Sequence, residues 1–318
     1  LTLKIMIVET SYCHIPVLRE KVVQYLITDQ GGIYVDATVG EGGHAEAILE
    51  RLNCRGRLIG IDRDEEILMI AHNRLARFHS QLKLFYGNFK KLKEILKNEG
   101  VPCIQGILFD LGVSSRQLDT PERGFSFRFD ANLDMRMDRR QSLTAAEIVN
   151  RYSREKLTEI FRDYGEEPRA RQIASAIVKT REKQLVKTTS QLLKIIEEVV
   201  KFPRLKIHPA TRCFQALRIV VNQELEGLED SLRVAVDLLV EGGRIGVISF
   251  HSLEDRIVKQ TFRLLEGKCI CPPDFPVCRC GKIKKVRVLT PKPLTPSPLE
   301  KQTNPRSRSA RFRVAEKI

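Results

Sequence analysis

The chain has 318 residues, 42% of them hydrophobic, enough for one large or two ordinary soluble domains. It carries 54 Lys and Arg against 40 Asp and Glu, a formal net charge of +14, and such a balance favours nucleic acid as partner. No apolar run approaches the ~20 residues of a membrane span, which excludes a transmembrane helix.

In chain order, residues 33–38 read as a first strand and 45–52 as an amphipathic helix. Residues 57–61 make a second strand with a helix over 65–78 behind it. Residues 82–86 make a third strand, followed by a helix over 89–99, and 107–111 a fourth strand. Residues 119–212 break this alternation. They hold almost no strand-like runs, and 145–152, 154–164, 168–183 and 190–199 read as helices. Ser142, Thr189 and Ser190 offer caps there, and Pro168 suits a first helical turn. The alternation resumes with a helix over 225–240, a turn at Gly242-Gly243, a strand over 244–250 and a helix over 253–265. Residues 286–289 and 310–314 read as a last, antiparallel pair of strands. The pattern predicts an α/β fold, Rossmann-like, with an open, mostly parallel sheet covered on both faces. The expected domains are 1–118 with 213–318 around the sheet, and an inserted all-helical domain at 119–212. An insertion beyond the carboxyl end of the fourth strand forms one wall of a ligand cleft.

The stretch Asp36-Ala37-Thr38-Val39-Gly40-Glu41-Gly42-Gly43-His44 joins the first strand to its helix. Glycine is needed where the backbone turns sharply and approaches a ligand closely. The pattern is neither G-x-G-x-x-G nor a Walker loop, and Asp36 and Glu41 would repel a pyrophosphate. Both tolerate a cation, such as the sulfonium or ammonium of S-adenosylmethionine. Asp62 ends the second strand, 19 residues after Gly43, where a carboxylate can accept from both hydroxyls of a ribose. A plain tight turn without a ligand is the competing reading of the glycines.

Asp110 ends the fourth strand in Phe109-Asp110-Leu111-Gly112-Val113-Ser114-Ser115. Methyl transfer from a sulfonium needs alignment and exclusion of water more than acid–base help. An exocyclic amine on a base is a poor nucleophile, and a carboxylate accepting one of its N–H groups returns electron density to nitrogen. Asp110 suits that task, or it caps a turn. Asn88-Phe89 after the third strand could contact an adenine ring; equally, Asn88 could cap a helix and Phe89 join the core. Arg123-Gly124-Phe125-Ser126-Phe127-Arg128 alternates cations with aromatics, as single-stranded nucleic-acid binders do, or is a turn with buried phenylalanines. His208 reads as structural. Ser249 to Asp255 follows the fifth strand, and Ser252 could cap the next helix.

Cys13, Cys54, Cys103 and Cys213 are scattered, as reduced core thiols would be. Cys269, Cys271, Cys278 and Cys280 form two C-x-C pairs that either bind a structural metal or make a cysteine-rich turn. No catalytic metal is expected. The last 37 residues hold eleven Lys and Arg against Glu300 and Glu316. Interleaved apolar residues predict that this basic tail folds at least partly. The first eleven residues lack a signal-peptide layout, and a cytoplasmic location is expected.

His14-Ile15-Pro16-Val17-Leu18 and residues 36–44, 110–119, 123–138, 208–224, 242–256 and 304–316 together resemble one family, in order and over nearly the whole chain. It is the MraW family of ribosomal RNA small subunit methyltransferases H. The resemblance implies a class I S-adenosylmethionine-dependent methyltransferase domain with a helical insertion. It also implies N4-methylation of a cytidine in 16S rRNA at the decoding centre. By motif, it assigns cofactor contacts to Gly42, Gly43, His44, Asp62, Phe89, Asp110 and Gln117. Many amino methyltransferases acting on DNA carry Asp/Asn/Ser-Pro-Pro-Tyr where this chain has Asp110-Leu111-Gly112-Val113, so the catalytic role of Asp110 stands apart from its place near the cofactor. The implied partner is 16S rRNA or the small ribosomal subunit. A non-catalytic RNA-binding assembly factor that holds the cofactor structurally is the competing function. A nicotinamide oxidoreductase lacks its loop spacing.

Overall fold

The computed structural model describes residues 16–200, 208–268 and 284–318. The four clustered cysteines, Cys13 and His14 lie outside them. Seven strands form one sheet: β1 Ile33–Asp36, β2 Arg57–Asp62, β3 Leu82–Tyr86, β4 Ile104–Asp110, β5 Leu239–Ser249, β6 Val286–Val288 and β7 Arg311–Lys317. Their order is β3-β2-β1-β4-β5-β7-β6. The first five run parallel, and β7 pairs antiparallel with both β5 and β6. The expected mostly parallel sheet and the antiparallel last pair are both present.

Two-residue periodicity divides the core. Val35, Ile59, Ile107, Phe109 and Val247 face one side with the helices Leu92–Asn98, Leu228–Leu238 and Ser252–Leu265. Tyr34, Leu58, Leu108, Ile248 and Phe312 face the other with the helices Arg19–Leu26 and Gly43–Leu49. A separate apolar cluster holds Phe125, Ile148, Phe161, Ile173 and Ile196 with Phe214 and Leu217 of the helix Pro209–Asn222. That helix therefore packs among the helices of the interrupting region while leading the chain back to the sheet.

Several boundaries differ from expectation. Gly242 and Gly243 lie inside β5, not in a turn before it. β4 pairs Ile104 with Leu239 and then Gly106 with Arg244, so the extra residues form a bulge. Thr144 and Thr188, rather than Ser142 and Thr189 or Ser190, cap their helices. Each makes a reciprocal box, with Glu147 and Gln191 respectively, which a nearer hydroxyl without that partner cannot match. Pro168 precedes the helix Ala170–Arg181 rather than opening it. The helices Arg19–Leu26 and Pro298–Thr303 were not expected. The first has no side-chain cap of its own; Glu300 Oε1 accepts the Leu18 N–H at 2.7 Å from 282 residues away. Cys213 is buried, but Cys54 and Cys103 are exposed rather than core thiols.

Candidate active site

Strand order reverses between β1 and β4, and a cavity of about 510 Å³ opens at the carboxyl ends of the strands there. Three strands deliver a carboxylate apiece: Asp36 ends β1, Asp62 ends β2 and Asp110 ends β4. The turn after β1 is pinned by Ala37 N–H to Leu108 O at 2.8 Å and Val39 N–H to Ile61 O at 2.9 Å. Gly42 adopts φ 83, which favours glycine, and a Cβ there would also crowd the Leu75 side chain at 3.0 Å. Gly43 opens the helix Gly43–Leu49, and His44 follows it, buried.

Asp62 is already at work in this geometry. Oδ2 accepts the Gly40 N–H at 2.8 Å and Oδ1 the Asp64 N–H at 2.9 Å. A carboxylate has about four lone-pair sites, so it can still accept ribose hydroxyls. Burial, the largest cause, raises its pKa against these two N–H groups. Phe89 lines the cavity and meets Phe109 edge-on, ring centroids 5.6 Å apart, while Asn88 caps the short 3-10 turn Phe89–Lys91. The cap-and-core reading of that dipeptide is realised, with Phe89 buried in the core and its edge lining the cavity. Gln117 also lines the cavity. Its Oε1 accepts the Ser114 N–H, and its Nε2 donates to Asp64 Oδ2 at 2.6 Å, leaving one N–H.

The most unusual feature is a set of unpartnered buried atoms. Asp36 Oδ2, Asp110 Oδ1 and both ring nitrogens of His44 have no hydrogen bond. His44 Nε2 lies 3.4 Å from Asp110 Oδ2 without a hydrogen bond between them. The Asp36 carboxyl is pushed up to about 7, chiefly by burial; His44 opposes this, and Asp110 and Asp62 add to it. Buried polar atoms are rarely left unmade, and an excess of carboxylate at one cavity fits a cationic ligand.

Arg123 departs from expectation. It is 3% exposed and donates to Asp64 Oδ2 at 2.6 Å, to Glu66 Oε2 at 3.1 Å and to the carbonyls of Arg136 and Met137 at 2.9 Å. Phe125 is buried, and Phe127 packs against His208 and Phe214, centroids 5.2 Å away in each case. The stretch is a turn that ties the interrupting region to the loop after β2, not an open stacking surface. His208 caps the helix Pro209–Asn222 through Nδ1, as a structural residue.

One group at the cavity went unread in the sequence. Arg218 forks onto Glu224, with Nε and Nη2 each 2.8 Å from a carboxylate oxygen. Glu254 is buried beside it, its Oε2 accepting the Phe250 N–H at 2.8 Å. Helical spacing puts Arg218 on the face of Thr211 and Gln215, which was legible. The left-handed Gln223 (φ 49) that turns Glu224 back toward Arg218 was not.

The sequence model of the MraW methylase family matches residues 11–318. The chain belongs to this family. "Ribosomal RNA small subunit methyltransferase H" of Caldicellulosiruptor bescii is 51% identical over 305 residues, 96% of this chain and 99% of the relative. The protein of that name from Halothermothrix orenii is 50% identical over 307 residues, covering 96% and 98%. That from Geotalea daltonii is 52% identical over 312 residues, covering 97% and 99%. The MraW fold is that of class I methyltransferases, and the cofactor is S-adenosylmethionine. The residues fit that group: Asp110 lines the cavity and, with Asp36 buried behind the lining, suits its cationic end, while Asp62 and Phe89 suit its nucleoside. Among the described residues no helix is long and apolar enough to cross a membrane.

Proposed function

We propose that this chain methylates the exocyclic N4 amine of a cytidine in small-subunit (16S) ribosomal RNA, at the decoding centre. The names of its relatives support the substrate, and the family supports the reaction class. The observation that carries the chemistry is Asp110, which ends β4 at the strand switch point and lines the cavity with its side chain 27% exposed. S-adenosylmethionine, when bound, supplies an activated methyl group. Gly42, Gly43 and His44 would hold its methionine end, Asp62 its ribose, and Phe89 with Gln117 its adenine.

Asp110 is fixed from behind by its own N–H, which donates to Thr38 Oγ1 at 2.7 Å. Its carboxylate accepts one N4 hydrogen of the base, restores electron density to the nitrogen and takes up the positive charge that develops there. The target base must leave its stack to reach it. Residues 119–212 form an inserted domain that walls the cleft and recognises the RNA. Exposed basic groups, Lys292 and Arg308 among them, contact phosphates.

Incubation with methyl-labelled S-adenosylmethionine and small-subunit RNA, followed by nucleoside analysis, tests the reading. Label in N4-methylcytidine is expected, and its absence rejects the assignment. Mapping the lost methyl group in a strain without the protein identifies the nucleotide.

A further inference from the structure

One part of the cavity lining, a recess built on the helix Pro209–Asn222, is used by no role above. Thr211, Gln215 and Arg218 line it at positions i, i+4 and i+7 of one helix, and Phe250 and Glu254 face them from the end of β5 and the helix after it. Arg218 is 15% exposed. Its Nε and Nη2 are fixed by Glu224, while its Nη1 carries no hydrogen bond.

Glu224, His251 and Glu254 offer ligand atoms within 4.8 Å of one another, the spacing of a metal site. Both Glu224 oxygens are taken by Arg218, whose charge opposes a second cation. Burial works against ionisation of Glu254, but the His251 contact and the charges of His251 and Arg218 hold its carboxyl below the usual range. The recess is therefore an ion-pair pocket with one unused donor edge.

We propose that this recess receives the target cytosine and that Arg218 reads its N3/O2 edge. The inference rests on the methyltransferase reading above. Along that edge cytosine offers a donor at N4 and acceptors at N3 and O2. Uracil offers an acceptor at O4, a donor at N3 and an acceptor at O2. Asp110 can only accept and Arg218 can only donate, so the two match cytosine at both ends. Uracil in the same pose turns O4 toward the carboxylate and its N3 hydrogen toward the guanidinium. In a buried site both contacts are unpaired, and the base is rejected. Glu224 acts as a positioning residue, since its fork fixes the guanidinium plane.

The test compares wild type with Arg218→Lys, which keeps the charge and loses the fork. Substrates are small-subunit RNA carrying either cytidine or 3-deazacytidine, which lacks the N3 acceptor, at the methylated position. Melting temperature and S-adenosylmethionine affinity are measured in parallel. Wild type should lose at least tenfold in kcat/KM on the deaza substrate. Arg218→Lys should lose as much on cytidine and little more on the deaza base, with cofactor affinity within about twofold of wild type. Equal deaza penalties in both proteins, or a loss that tracks cofactor affinity or melting temperature, overturn the assignment of Arg218. Wild type that leaves cytidine unmethylated overturns the underlying reading as well, and so the two failures are told apart.

Discussion

At the scale of single residues, Asp110 and Asp36 make opposite predictions. Asp110→Asn keeps the shape of the site but replaces an acceptor-only oxygen, and methyl transfer should fall by about 10²–10⁴-fold. Cofactor affinity should change far less, so single-turnover rates and equilibrium titration separate the two effects. Asp36 instead predicts a pH dependence. Its carboxyl is pushed up to about 7, so below that pH it is largely protonated in the free protein. A bound cation favours the carboxylate, so binding expels protons below about pH 7, and affinity should rise with pH and level off above it. Calorimetry at pH 6 and pH 8 in buffers of different protonation heat measures those protons, and Asp36→Asn should abolish the difference. The strand-end carboxylates were legible because sequence order places each after an apolar run. His44 beside Asp110 was not, because that contact joins two strand–helix turns 66 positions apart.

At the scale of elements, the glycine turn and the helices that follow β1 and β2 were readable from local patterning alone. What local patterning missed was tertiary. Arg123 reads as a surface cation among aromatics, yet its partner Asp64 lies 59 residues earlier in the chain. Nothing in the composition of residues 123–128 distinguishes stacking on a base from burial under a loop. The helix Arg19–Leu26 escaped for the same reason, since its cap is Glu300. These long-range ties carry the stability of the joints. Arg123→Met leaves Asp64 buried without its cation and should cost about 3–5 kcal/mol. Chemical denaturation measures that loss, and an unchanged midpoint would show that Gln117 alone suffices for Asp64.

At the scale of the whole molecule, the charge asymmetry toward the C-terminus reads differently once the fold is known. The tail does fold, as its interleaved apolar residues predicted, and folding consumes much of its charge. Arg311 and Arg313 both bind Asp255, Arg287 binds Glu316, Lys285 binds Asp237 and Arg306 binds Asp119. β7 lies between β5 and β6, and the pairs of Arg311, Arg313 and Glu316 tie that strand to its neighbours. Among the described residues, Lys292 and Arg308 are exposed and outside those pairs. Two classes of substitution should therefore diverge. Arg313→Ala removes the more buried of two arginine partners of a carboxylate that is 7% exposed and should lower the melting temperature. The salt dependence of RNA binding should be unchanged. Lys292→Ala and Arg308→Ala should leave melting unchanged, while each lowers the slope of log affinity against log salt by roughly 0.7–0.9, one phosphate contact apiece. Filter binding across 50–200 mM salt reads that slope. If Arg313→Ala flattened it as well, the tail's pairs would have to open on RNA, and β7 would be a binding strand rather than a structural one.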